Sequence, residues 1–167
     1  MKMTPEPLID PRIFRQTVGR FVTGVTVIAL ESEGEVRAMT ANSFTSLSLD
    51  PPLVLFCLGK ETKAGLHIRS VSGFAVSILG HDQQDLSSYF AGSWKQEDPP
   101  PFAFTEWEGG PRLEGCIAAL GCRVYAIHEG GDHWIVVGEV VATYRVEDSG
   151  LPLVFFGGKY MTLGDMT

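Results

Sequence analysis

Apolar and β-branched residues occur along most of the chain in short runs, some alternating with polar residues and some continuously apolar. Runs of this kind and length predict β-strands. We expect strands at residues 25–30, 35–41, 53–58, 73–79, 113–128, 133–146 and 151–156. The polar residues 129–132 separate the two longest runs, so these two runs give the clearest prediction of a β-hairpin.

Helical patterns are few and short. Asp10 followed by Pro11 is typical of a helix start, and the apolar residues after them keep helical spacing as far as Phe21. Thr62 and Asp82 are predicted to cap two further short helices. Two or three short flanking helices among six or more strands do not fit a βαβ chain, and they predict a mainly β, antiparallel barrel.

Length and composition predict one globular domain over residues 1–167, because 44% hydrophobic residues are enough for a sizeable core. Ten Phe, three Trp and four Tyr suggest a buried sheet and a subunit interface that hides further apolar surface. The net charge of −7 and the scattered basic residues argue against a nucleic acid partner. No apolar run approaches the roughly 20 residues of a spanning helix, so we expect a cytoplasmic protein without membrane contact.

The residues that usually carry metal or nucleophilic chemistry form no recognisable pattern. Cys57, Cys116 and Cys122 cannot all pair, and their apolar neighbours predict reduced core thiols. The four histidines lack ligand spacing, so no structural metal is expected. Nucleophile-elbow, dinucleotide and Walker motifs are missing from the sequence, so the reactivity of an enzyme of this kind would belong to a cofactor.

A polar stretch at residues 38–52 interrupts the strand pattern between two predicted strands. It contains short hydroxyl and amide side chains at Thr40, Asn42, Ser43, Thr45, Ser46 and Ser48. This density exceeds what a single turn needs for its own backbone. Two interpretations remain open at this point: a loop that binds a polar ligand, or a Ser/Thr-rich connection between strands.

Two further segments have alternative interpretations. Lys60, Lys63 and Arg69 form a basic cluster around the predicted cap Thr62, which suits either a phosphate site or a solvated helix face. Residues 92–111 are rich in Pro and aromatic residues and follow neither the helical nor the strand period. A long irregular segment of this kind can cover a ligand or a partner subunit.

Five segments, in their order and spacing, carry a family resemblance. They are residues 21–29 (FVTGVTVIA), 38–58, 74–79 (FAVSIL), the Gly131-Asp132-His133 triplet with Gly138, and 152–160 (PLVFFGGKY). Together they resemble the short-chain flavin reductases that supply reduced flavin to two-component monooxygenases. The resemblance spans nearly the whole chain. It implies a Greek-key-like split β-barrel, a homodimer, FMN or FAD near the dimer interface, NADH or NADPH as co-substrate, and a flavin-dependent monooxygenase as partner.

The resemblance also implies which residues contact the flavin. Thr40, Ala41, Asn42 and Ser43 would line the isoalloxazine edge, with Ser46 and Ser48 nearby toward the ribityl chain or the phosphate. The family usually supplies Ser and Thr to the phosphate from the segment after the next strand. Here Glu61 and Ala64 depart from that pattern, so the phosphate is expected at Lys60, Thr62, Lys63 and main-chain N–H groups.

The Gly-Asp-His triplet is associated in the family with the nicotinamide nucleotide, which implies that His133 contacts NADH or NADPH. Phe90 and Tyr160 are further candidates for flavin or nicotinamide contacts, although either side chain could belong to the core. The implied mechanism is direct hydride transfer from the nicotinamide to the flavin. No catalytic side chain is expected, because orientation and electrostatic tuning are what the protein supplies.

Three alternatives remain beside the reductase. One is a flavin-binding protein of the same barrel without reductase turnover, such as an electron carrier. Another is a cofactor-free barrel that binds a partner through residues 92–111. The last is an oxidase of the pyridoxamine phosphate oxidase type, for which the sequence lacks a visible basic set for a second phosphate.

Overall fold

The computed structural model describes residues 8–148 and 150–164. Its three α-helices are α1 (Pro11–Val18), α2 (Lys63–His67) and α3 (Gln84–Phe90), and 3-10 turns occur at Ile68–Ser70 and His81–Gln83. The strands are β1 (Thr23–Gly24), β2 (Thr26–Ser32), β3 (Glu35–Ala41), β4 (Thr45–Leu49), β5 (Pro52–Gly59), β6 (Gly73–Ile78), β7 (Phe104–Thr105), β8 (Arg112–Leu113), β9 (Ala118–Gly130), β10 (His133–Arg145), β11 (Val154–Phe156) and β12 (Lys159–Met161). Among the described helices, none has the length and apolar composition to cross a membrane.

Seven strands form one antiparallel sheet in the order β3-β2-β6-β9-β10-β5-β4. Two small sheets flank it, one made of β1, β11 and β12 and the other of β7 and β8. The predicted mainly β, antiparallel fold with three short helices is therefore confirmed. The edge strands β3 and β4 do not pair with each other, so closure into a barrel stays a prediction.

Strand β4 lies inside the polar stretch at residues 38–52, which was predicted to be a loop between two strands. Thr45–Leu49 pairs with β5, with Thr45 opposite Leu55 and Leu49 opposite Pro52. The residues alternate Ser and Leu, but Leu47 and Leu49 face outward, at 51% and 95% exposure. The prediction of a connecting loop over these residues was wrong, because an edge strand needs no buried apolar face to pair.

Helix α1 begins as predicted, because the Asp10 carboxylate accepts a hydrogen bond from the Arg12 N–H at 2.7 Å and Pro11 occupies the first turn. The helix ends at Val18, so Phe21 lies beyond it. No α1 residue is buried. Its apolar face is therefore left on the surface, with Phe14 59% and Val18 54% exposed.

The predicted capping role of Asp82 was wrong. The chain first forms the 3-10 turn His81–Gln83, and α3 begins only at Gln84. The Gln83 side chain accepts the Gly80 N–H at 3.0 Å, which satisfies a backbone donor at the start of the turn. Asp82 thus lies inside the turn rather than at a helix N-cap.

Two apolar clusters form the core on opposite sides of β2. Residues 26–30 are all buried, because Ile28 packs into the larger cluster and Val27 into the smaller one. In the larger cluster, the rings of Phe56 and Phe74 meet edge to face, with centroids 5.1 Å apart. Gly138 lies against Phe74, since a Cβ there would come 2.5 Å from the Phe74 ring. This glycine is therefore explained by core packing.

Candidate functional site

Two residues of the polar stretch already make hydrogen bonds to other parts of the fold. The Thr40 hydroxyl, near the end of β3, donates to the Ser87 carbonyl oxygen of α3 at 2.7 Å. The Ala41 carbonyl oxygen accepts the buried Thr26 hydroxyl at 2.7 Å. These bonds fix the end of β3 against its neighbours, so the Thr40 side chain and the Ala41 carbonyl act as internal supports.

Asn42 and Ser43, in the connection between β3 and β4, differ in the hydrogen bonds of their side chains. The Ser43 hydroxyl donates to the Cys57 carbonyl oxygen at 3.1 Å and accepts the Cys57 N–H at 2.9 Å, which ties the connection to β5. Asn42 is exposed and its amide makes no hydrogen bond to the residues that the structure describes. Of this pair, Asn42 therefore has the side chain available to a ligand. Ser46 and Ser48 lie on the edge strand β4.

An open groove of about 990 Å³ runs beside Asn42 and Ser43, and we call it the apolar groove. Its walls include Phe14 and Val18 of α1, Val22, Phe44 and Phe155. Thr23 also lines it, with a buried hydroxyl that has no partner among the described residues.

The apolar groove suits a planar ring with a polar edge. Binding sites for small molecules are commonly 300–1,000 Å³ in volume, mostly apolar, with a few polar groups that fix orientation. The groove combines apolar walls with the Asn42 amide and the Thr23 hydroxyl. The residues present therefore fit an isoalloxazine ring.

A second polar region lies where β5 ends and β10 begins. We call its residues the turn cluster: Lys60, Glu129, Asp132, His133 and Trp134. The register places Gly59 opposite His133, which brings together residues more than 70 positions apart. The Lys60 N–H donates to the Asp132 carbonyl oxygen at 3.0 Å. The Lys60 ammonium lies 3.4 Å from the Glu129 carboxylate and 4.6 Å from the Trp134 ring centroid.

His133 is held by its neighbour in the β9–β10 turn. Its Nδ1 lies 2.7 Å from the Asp132 carboxylate, which can only accept, so the proton is on Nδ1 and Nε2 points away. The hydrogen bond from His133, followed by its charge, lowers the pKa of Asp132 below the ordinary value of 3.8. The pair orients an exposed imidazole at the start of β10.

Thr62 is the N-cap of α2, as predicted. Its hydroxyl accepts the Gly65 N–H at 3.0 Å and donates to the Gly59 carbonyl oxygen at 2.8 Å. Both hydrogen-bonding roles of the hydroxyl are therefore used within the fold. Lys63, the first residue of α2, is exposed.

Phe90 and Tyr160 both lie against the smaller core cluster. Phe90 meets Phe102 at a centroid distance of 5.0 Å and belongs to a group of aromatic rings with Tyr89 and Phe104. The Tyr160 hydroxyl lies 2.7 Å from the Ser87 hydroxyl, and its ring packs on Phe155 at 5.4 Å. Since Phe155 lines the apolar groove and is the direct strand partner of Tyr160, Tyr160 packs beside a residue of the groove wall.

The cysteines are free thiols, as predicted, with Cys116 and Cys122 buried and Cys57 partly buried. Burial raises the pKa of Cys122 to about 12 and also raises that of Cys116, so both thiols stay protonated near neutral pH. Across the described ranges, no group of His, Cys, Asp and Glu side chains could hold a metal ion.

The walls of the apolar groove were not predicted from the sequence. Phe14 and Val18 were recognised as one face of a helix, but nothing in their spacing showed that this face stays exposed. Phe44 and Phe155 join them only through the fold. The abundance of aromatic residues was the available signal, and it indicated apolar surface without locating it.

An antiparallel β fold with an apolar groove and polar groups at one edge is compatible with a domain that binds an aromatic cofactor. Residues 18–164 match the flavin reductase like domain. The chain belongs to this family, which confirms the family predicted from the sequence.

Relatives in this family are similar over most of their length. An NADH-dependent flavin reductase from a Rhodococcus species is 40% identical over 161 residues, covering 95% of this chain and 89% of the relative. The reductase subunit HsaB of a flavin-dependent monooxygenase from Rhodococcus jostii is 37% identical, covering 91% of this chain and 77% of the relative. The solved structure of the Streptomyces globisporus NADH:FAD oxidoreductase SgcE6, in complex with NAD and FAD fragments, has a TM-score of 0.82 and 39% identity, covering 95% of this chain and 97% of that one.

Proposed function

We propose that the protein is an NADH-dependent flavin reductase that uses FMN or FAD. The observation that carries this proposal is the family match over residues 18–164, together with a 40% identical relative that is named as such a reductase. The flavin, when bound, accepts a hydride from the reduced nicotinamide. Binding and orienting the two cofactors are then the tasks of the protein, because no side chain needs to enter the chemistry.

The apolar groove is the proposed site of the isoalloxazine ring. Asn42 offers its exposed amide to the polar edge of the ring. Thr40 and Ser43 hold the stretch in position through their hydrogen bonds to Ser87 and Cys57. Ser46 and Ser48 are proposed to face the ribityl chain or the phosphate. The exposed imidazole of His133, oriented by Asp132, is proposed to contact the nicotinamide nucleotide.

We propose that the seven-stranded sheet is a split barrel and that the protein is a homodimer. The edge strands β3 and β4 are joined by only residues 42–44, which supports their lying next to each other without pairing. Large apolar side chains are exposed on and after α1, including Phe21 at 78% and Val22 at 55%. Exposed apolar area of this kind is typical of a subunit interface.

A flavin-dependent monooxygenase is the proposed recipient of the reduced flavin. The support is that HsaB of Rhodococcus jostii, which is 37% identical, is named as the reductase subunit of such an enzyme. We propose that the whole chain forms one reductase domain and that it acts in the cytoplasm, where NADH is available.

Steady-state oxidation of the nicotinamide tests the proposed function. The purified protein is mixed with NADH or NADPH and with FMN or FAD, and the absorbance of the reduced nicotinamide is followed. We expect flavin-dependent oxidation, fastest with NADH. A protein that shows no flavin-dependent oxidation in any of the four combinations is not a flavin reductase. Tight flavin binding without a response to NADH would instead indicate an electron carrier.

A further inference from the structure

The ring of Trp134 holds two cationic side chains. The Lys60 ammonium lies 4.6 Å and the Arg69 guanidinium carbon 5.3 Å from the ring centroid. The two charges are therefore no more than about 10 Å apart. Cation–π contacts of this kind restrict long side chains that would otherwise move freely in solvent.

The position of Arg69 is set by the backbone as well as by the ring. Arg69 belongs to the 3-10 turn Ile68–Ser70, which follows α2 directly. Its neighbour Ile68 is fully buried in the larger core cluster, so the turn is anchored. The guanidinium is thus carried by a fixed segment, although Arg69 itself is exposed.

Positive charge at this place is only partly neutralised. Glu129 contacts Lys60 at 3.4 Å, but its side chain is 77% exposed, so this ion pair is weak. Within residues 8–148 and 150–164, Arg69 forms no ion pair. In a protein with a net charge of −7, two restrained cations within about 10 Å of each other favour an anionic ligand.

The sheet connects Trp134, which both cations contact, to both proposed cofactor regions. Trp134 is the strand partner of Leu58 on β5. The residue before Leu58 is Cys57, whose carbonyl oxygen accepts a hydrogen bond from Ser43. On the other side Trp134 follows His133, the residue proposed for the nicotinamide nucleotide. A phosphate from either cofactor is the anion that this location makes available.

We propose that Arg69, together with Lys60, binds a phosphate group of a bound nucleotide, and that Trp134 positions both cations. The inference rests on the proposed function and adds Arg69 to its binding residues. Guanidinium groups bind phosphate oxygens through paired N–H donors, which suits this role better than the Thr62 hydroxyl, whose donor and acceptor roles are already used.

The test compares flavins with and without phosphate. Arg69→Met keeps an aliphatic stem against Trp134 and removes the charge. Calorimetric titrations measure the affinities of FMN, riboflavin and NAD⁺ for the wild type and for the variant. We expect the affinity for FMN or NAD⁺ to fall about tenfold and that for riboflavin to change less than about twofold, because riboflavin carries no phosphate.

Arg123→Met is the matched control, because Arg123 is exposed on β9 and forms no ion pair in the described part of the chain. The same loss of charge there should leave all three affinities unchanged. A Trp134→Leu variant should show a smaller loss of affinity for the phosphorylated ligands. The two cations lose their cation–π contacts with the ring but keep their charges.

The outcomes separate the source of the phosphate. A loss confined to FMN assigns the site to the flavin phosphate, and a loss confined to NAD⁺ assigns it to the pyrophosphate of the nicotinamide nucleotide. Unchanged affinities, or equal losses for FMN and riboflavin, overturn the inference. Because binding is measured without turnover, this test is independent of the test of the proposed function. If the wild type does not oxidise NADH but Arg69→Met still weakens FMN binding, the proposed function is rejected and the phosphate site is retained.

Discussion

The apolar groove and the turn cluster offer a ligand different kinds of interaction. The groove has apolar walls and about 990 Å³ of space, with Asn42 as its exposed amide. The turn cluster consists mainly of charged and polar side chains, with Lys60 against both Glu129 and the Trp134 ring and with His133 against Asp132. Burial of apolar area favours binding of a ring, whereas positive charge favours binding of phosphate groups. Changes of shape in the groove should therefore affect every flavin, and changes of charge only the phosphorylated ligands.

The largest effect is expected from filling the groove. Gly24 lines it, and a Cβ at this position meets no atom within 4 Å. Gly24→Phe should place a ring in the space proposed for the isoalloxazine and weaken binding of FMN and riboflavin alike, by about a hundredfold. Fluorescence quenching of the flavin measures the loss. Gly24→Ala is the control and should bind within about twofold of the wild type, and equal binding by the Phe variant would place the flavin elsewhere.

Ser43→Ala should lower the free energy of unfolding by about 1–3 kcal/mol, because both the N–H and the carbonyl of the half-buried Cys57 lose a partner. Urea denaturation measures the change. Ser46→Ala, an exposed residue on β4, should stay within about 0.5 kcal/mol of the wild type. An unchanged stability of the Ser43 variant would mean that its hydroxyl is available to the ligand rather than to β5.

Asn42→Ala should weaken flavin binding about tenfold, since the amide is the polar group presented to the ring. His133→Ala should change flavin affinity much less and should chiefly raise the KM for NADH. Flavin titrations and NADH kinetics on the two variants separate these roles. Equal flavin affinity in the wild type and the Asn42 variant would contradict the assignment of the ring to the apolar groove.

The smallest effect concerns the Asp132–His133 pair. His133 lowers the pKa of Asp132 below 3.8, so the ionised carboxylate is favoured in the fold. Its contribution to stability is present above the unfolded-state pKa and is lost as the pH falls through the lowered value. In His133→Ala, an NMR titration should show the pKa of Asp132 moving back up toward 3.8. A pKa that stays low without the imidazole would assign the shift to another partner.

Local patterns were enough to predict most of the individual elements. Strand β3 has the predicted bounds, and the β9–β10 hairpin turns at Gly131 and Asp132, inside the predicted turn. These features depend on neighbouring residues, whose preferences can be judged one segment at a time. Strand β4 was missed although TSLSL alternates, because its leucines face outward on a sheet edge.

The composition of the site could be predicted only in part. The resemblance pointed to Asn42 and His133, and the structure added that the hydroxyls of Thr40, Ser43 and Thr62 are used within the fold. The contact of Arg69 and Lys60 with one ring depends on the pairing of β5 with β10. These strands are far apart in the sequence, and their pairing is a non-local consequence of the sheet topology.

The most direct test of the central claim is the rate of NADH oxidation as a function of flavin concentration, measured side by side for the wild type and Gly24→Phe. We expect a rate that rises and saturates with flavin in the wild type and stays at the flavin-free level in the variant. A wild-type rate that does not depend on flavin, or identical curves for the two proteins, would contradict flavin reduction in the apolar groove.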